Sequence, residues 1–188
     1  MSAIEGCAVA LALAYVLLAI YQRRLCWIAS IASASLYIII FWQVQLYLEA
    51  VLQICYIAMA IFGWFAWTND DDQAGTAIRT WPPRRHAAAC GLILLLSLTL
   101  GGVMSSWSDA ASPFIDAATT VSALLATWMV AQKLLENWLY WIIIDLASIG
   151  LYLSRDLALT AALFAGYVLL AWLGYRTWRN QWRLQQID

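Results

Sequence analysis

The chain has 188 residues, 64% of them apolar and only 11% charged, with a positive mean hydropathy. A soluble domain carries roughly twice that charged fraction, so a water-soluble globular fold is excluded. The net charge of −1 selects no acidic partner, and no nucleic-acid partner is expected.

Apolar runs of about 20 residues recur along the whole length and predict a polytopic, all-α membrane protein. Seven spans are read in chain order, at 3–22, 24–42, 46–67, 87–104, 113–131, 136–153 and 157–176. The N-terminal MSAIEGC lacks the basic region of a cleavable signal peptide, so the first span is expected to be retained. Short polar breaks separate the spans, the longest being TNDDDQAGTAIRTWPPRRH at 68–86. Pro82, Pro83 and Pro113 fall in or beside these breaks and interrupt no span. Cys7, Cys26, Cys55 and Cys90 lie in or beside apolar spans without metal spacing, so they read as small buried hydrophobes.

Basic residues bias the orientation. With the N-terminus outside, Arg23, Arg24, Arg79, Arg84, Arg85, Lys133, Arg176, Arg179 and Arg183 are cytoplasmic, and only Arg155 is outside. The expected topology is therefore N-out, C-in.

The chain also repeats itself. LLAIYQ (17–22) answers LLATWM (124–129), SASLY (33–37) answers SIGLY (148–152), and GWFAW (63–67) answers GYRTW (174–178). Spans 1–3 thus match spans 5–7 in parallel, leaving span 4 as a linker. The expected division is a first three-helix repeat at 1–67, a segment at 68–112 holding the linker helix 87–104, and a second repeat with the C-terminal tail at 113–188. Parallel repeats about an axis along the membrane normal are a transporter architecture, with the substrate site near mid-membrane between the halves.

Span 6 contains the least expected residue. KLLENWLYWIIID (133–145) ends on a carboxylate inside an apolar run. Trp138, Trp141, Asp145, Ser148 and Tyr152 are three, four, three and four residues apart, which is one helical face. Asp145 lies about 12 Å along the helix from Asn137, near the middle of a hydrocarbon core about 30 Å thick. Burial of an Asp there costs at least about 2.5–3.5 kcal/mol, so it should face the protein interior or a wet cavity. No Lys or Arg lies at its depth, and its partner is expected to be a ligand. Glu49, Gln53 and Tyr56 give span 3 a second polar face. Tyr37, matching Tyr152 in the repeat, and Trp128, in the LLATWM segment, complete the candidate substrate-binding set.

Blander roles suit other residues. Trp27, Trp42, Trp64, Trp67, Trp107, Trp172 and Trp178 lie near span ends and read as an interfacial belt. Lys133 and Glu136 suit a juxtamembrane ion pair, and Gln53 suits a bond to a neighbouring helix. No catalytic, metal or cofactor site is expected. The single His86 makes no multi-histidine zinc site, and no Ser or Cys has an evident base. The only lysine, Lys133, sits at a membrane edge, where a retinal-type Schiff base would not form. A filter-like glycine run is missing. A proton-coupled carrier using Asp145 stays open, whereas a scaffold gives no reason for the mid-membrane stripe.

KLLENWLYW, LYLEAVLQICY (46–56) and GWFAW together resemble the PnuC family of bacterial vitamin transporters, over nearly the whole chain. The resemblance implies a SWEET-like 3-1-3 fold, a multi-pass location in the bacterial inner membrane surrounded by lipid, and commonly a homotrimer. It further implies facilitated diffusion with trapping by a cytoplasmic kinase. Family substrates include nicotinamide riboside, thiamine and riboflavin. Gln53 matches the glutamine of the family's third-span motif, and Asn137, Trp138 and Trp141 match its NW..W signature. The chain departs from nicotinamide riboside members at Asp145, where they tend to carry asparagine, and at Glu49. Both cationic candidates suit a Trp face and a carboxylate. A carboxylate accepts well from an aminopyrimidine amine, and on that ground thiamine is expected slightly ahead of nicotinamide riboside.

Overall fold

The computed structural model describes residues 3–43, 47–67, 77–107, 112–154 and 158–187. Among these the chain forms seven α-helices: α1 (Ala3–Ile20), α2 (Cys26–Gln43), α3 (Tyr47–Ala66), α4 (Pro83–Trp107), α5 (Pro113–Ala131), α6 (Asn137–Leu153) and α7 (Ala158–Leu184). Five of them, α1 to α5, are long and apolar enough to cross a membrane, and α6 is a shorter apolar helix. No charged side chain interrupts α7 between Ala158 and Tyr175. The protein is a multi-pass membrane protein.

The helix ends follow backbone chemistry more closely than hydropathy. Pro83 and Pro113 are the first residues of α4 and α5, where a missing N–H costs nothing and φ is preset. This starts α4 four residues before the apolar run at 87. At the other end of the chain, α7 continues to Leu184, eight residues past the expected exit at 176. Arg, Gln and Leu propagate a helix as well in water as in lipid, so the arginines mark the membrane boundary and not the helix end. Arg155, residues 68–76 and the side chain of Trp107 lie outside the described residues.

The described residues fall into two compact units. The first comprises Met1–Arg79, Thr127–Leu135 and Leu173–Asp188. Here α2 packs on both α1 and α3. Small residues allow the approach: Ala8, Ala29, Ala34 and Ala60 are buried, and Ser33 Oγ donates to Ala8 O at 2.9 Å. Gly63 lies against the Trp27 indole, where an added Cβ would come within 2.7 Å of Cδ2.

Three tryptophans assigned to the belt are instead core residues of this unit. Trp27, Trp67 and Trp178 are 0%, 2% and 0% exposed. Trp27 and Trp67 meet edge to face at 5.3 Å between centroids, and Trp67 lies 6.5 Å from Trp178. For Trp67 and Trp178 the reason is that a helix end leaves carbonyls open. Trp67 Nε1 donates to Ala131 O at 3.1 Å, and Trp178 Nε1 donates to Ala19 O and Ile20 O at 3.2 and 3.1 Å. Trp42 and Trp172 are well exposed, as belt residues are.

The turns after α1 and α5 share one geometry. Gln22 and Lys133 have φ of 52° and 50°. Gln22 N bonds Ala19 O and Arg23 N bonds Leu18 O; Lys133 N bonds Val130 O and Leu134 N bonds Met129 O. Each is a Schellman C-cap with a non-glycine residue in the left-handed position. The main chain after α5 also pairs with residue 79: Arg79 N donates to Lys133 O, and Leu135 N to Arg79 O.

These turns fall at a fixed sequence offset. Gln22 matches Lys133, Ile20 matches Ala131 and Trp67 matches Trp178, each pair 111 positions apart. The LLAIYQ/LLATWM and SASLY/SIGLY likenesses are each one helical turn away from this offset, because apolar helical residues four apart share a face and substitute for one another. The GWFAW/GYRTW match already had it.

The second unit comprises Thr80–Ala126 and Glu136–Trp172. At the start of α4, Trp81 N donates to Glu136 Oε1 at 3.1 Å, and His86 Nε2 lies 3.9 Å from the same oxygen. His86 Nδ1 is 3.0 Å from Tyr140 Oη. Glu136 thus anchors the start of α6 to the start of α4. Gly101 on α4 admits Phe114 at the start of α5.

Candidate functional site

The α6 face of the second unit carries most of the candidate residues. Asn137, Trp138, Asp145 and Ser148 are buried, while Trp141 and Tyr152 are half-buried. The helix forms because NWLYWIIIDLASIGLYL contains no proline and only one glycine, Gly150. Its polar residues recur at three- and four-residue spacing, so one side sinks inward while Leu139, Ile143 and Leu146 face outward. Ser148 Oγ folds back onto Ile144 O at 2.9 Å, satisfying the hydroxyl within its own helix. Tyr152 lies 5.2 Å from Phe164, which lies 5.9 Å from Tyr167.

Asp145 stands apart from these. It is 5% exposed, and among the described residues it has no hydrogen bond or ion pair. Buried polar groups are normally paired, and a carboxylate in an apolar span is the costliest group to leave alone. Asp145 is therefore suited to hold a cation or to accept hydrogen bonds from a polar ligand.

The remaining candidates lie in the first unit. Glu49 is exposed near the start of α3, and Gln53 and Tyr56 follow along the helix, half-buried. Tyr37 stacks on Phe41 at 5.6 Å, and Trp128 is on the surface. The eleven candidates are thus divided between the two units.

Three further features were not anticipated. The tryptophan caps were hidden because a span-end tryptophan is ordinarily interfacial; the shared spacing of GWFAW and GYRTW was the available signal. Lys133, expected to lie at a membrane edge, is 4% exposed with Nζ 4.9 Å from the Trp67 ring centroid. Three cysteines are exposed and only Cys26 is buried, because the outward surface of a membrane helix is itself apolar.

Residues 2–180 match the model of the nicotinamide mononucleotide transporter family. The chain belongs to that family. Among similar members, the nicotinamide riboside transporter PnuC of Escherichia coli is 27% identical over 180 residues, covering 80% of this chain and 74% of its own. The riboflavin/roseoflavin transporter RibM of Streptomyces davaonensis is 28% identical over 130 residues, or 65% of this chain and 59% of its own. The crystal structure of the vitamin B3 transporter PnuC superposes with a TM-score of 0.76 at 17% identity, covering 96% of this chain and 82% of that one. The family fold is therefore present over nearly the whole chain. Membership agrees with the resemblance carried by KLLENWLYW and LYLEAVLQICY.

Proposed function

We propose that the protein is a facilitated-diffusion transporter of a cationic, aromatic vitamin precursor, nicotinamide riboside. The observation that carries this reading is Asp145, a buried carboxylate with no protein partner among the described residues, on an α6 face that also presents Trp141. A pyridinium ring suits an aromatic face beside an anion, and ribose hydroxyls are good donors to a carboxylate. The expectation of thiamine rested on its amine as a donor, but ribose hydroxyls meet the same need. Relatives named for nicotinamide riboside and for riboflavin favour the ribosyl or ribityl compounds. Between those two, a buried negative charge favours the cation. The rest of the reading is drawn from the family resemblance and the basic-residue bias: a bacterial inner-membrane location, N-out and C-in, a 3-1-3 helix order divided at 1–67, 68–112 and 113–188, a homotrimer, and trapping by a cytoplasmic kinase.

The test is a titration of purified protein with nicotinamide riboside, thiamine and riboflavin by calorimetry. Nicotinamide riboside is expected to bind at least about tenfold more tightly than the others, or 1.4 kcal/mol. Tighter thiamine binding would overturn the substrate while leaving a transporter. Uptake into proteoliposomes is expected without ATP or ion gradients, and strict dependence on a proton gradient would make Asp145 a proton relay.

A further inference from the structure

We infer that the paired tryptophan caps of the first unit are a latch, holding the end where α1, α3 and α5 terminate shut and releasing it as a set. The inference depends on the transporter reading in one respect: a carrier needs an end that opens.

Three observations converge. The caps are reciprocal: Trp67, at the end of α3, donates to the last carbonyl of α5, and Trp178, on α7, donates to the last carbonyls of α1. At the 111-residue offset the two caps are therefore counterparts, α1 being capped from α7 and α5 from α3. Each capped helix then ends on a residue with positive φ that is not glycine. Glycine would adopt that conformation with less strain. In both cases the retained side chain reaches the helix that supplies the cap, or its tryptophan. Gln22 Nε2 donates to Gln181 Oε1 on α7, and Lys133 Nζ lies over the Trp67 ring.

The chemistry suits a switch better than a fixed core. Indole-to-carbonyl bonds and a cation–π contact are few and directional. Their loss exposes helix-end carbonyls that water can satisfy. The Trp67–Trp178 ring contact joins the two caps, so one is not withdrawn without disturbing the other. Cys26 is 0% exposed and precedes Trp27, which packs on Trp67.

Cys26 supplies the readout. Reconstituted protein is treated with N-ethylmaleimide, and modification of the Cys26 peptide is followed by mass spectrometry. The decisive variant is Gln22→Gly with Lys133→Gly, which removes both reaching side chains and eases both strained turns. It is expected to label about tenfold faster, reflecting a larger open population, with a melting temperature no lower than the parent. Trp67→Phe and Trp178→Phe, which keep a ring and remove the donor, are expected to accelerate labelling similarly. Unchanged labelling in the glycine variant overturns the latch. So does acceleration accompanied by a lower melting temperature there, because the contacts would then be ordinary structural support. No substrate enters the assay, so its outcome is independent of nicotinamide riboside binding.

Discussion

Asp145 is legible in the sequence because a single charge stands out in an apolar run, and the structure adds that it is buried with no protein partner among the described residues. The residue 111 positions before it is Ala34, buried at 4%. A residue kept for folding and one kept for binding respond oppositely to Asp145→Asn. The amide is cheaper to bury, and thermal stability should hold or rise. Removing a charge-assisted hydrogen bond costs about 1.5–3 kcal/mol, so calorimetry should show nicotinamide riboside affinity falling roughly ten- to a hundredfold. Parent-like affinity in a destabilised protein would make the carboxylate structural. Glu136 was expected to pair with Lys133; its Oε1 instead receives the Trp81 N–H, with His86 3.9 Å away, a meeting across 55 residues that local spacing does not foretell.

The helices themselves were readable, since apolar runs of membrane length have few alternatives. Their ends were less so, because hydropathy reports lipid while proline, arginine and the C-caps govern the backbone. Tryptophan roles were the hardest to read: cap and belt tryptophans both occupy span ends, and only the position of a distant helix end distinguishes them. The α2–α3 contact permits a sharp test of close packing. Gly63→Ala places a methyl against the rigid Trp27 indole, and overpacking of this kind costs about 1–3 kcal/mol. The melting temperature should fall, and Gly63→Ala combined with Trp27→Phe should recover part of the loss. An unchanged single variant would mean that α2 and α3 separate easily.

Across the whole chain, a sequence likeness between the two ends was visible, but the offset at which their turns coincide was not, since leucine and alanine at successive turns are interchangeable. Only the positive-φ residues and the paired tryptophans set it. Which candidate residues share a unit was also not legible, because spacing orders residues along one helix and says nothing of which helices meet. Orientation is testable directly. Nine basic residues on one side against Arg155 on the other predict a cytoplasmic C-terminus, so a fluorescent reporter fused after α7 should mature and a periplasmic phosphatase fused there should stay inactive. The opposite pattern would invert the topology.

The cap on α1 also sets an order of events during synthesis. Ala19 and Ile20 leave the ribosome early, whereas the indole that satisfies them belongs to Trp178, 159 and 158 residues later. Until the last helix emerges, the end of the first stays unfinished. A nascent chain halted before Trp178 therefore lacks the indole N–H that caps α1 in the folded protein.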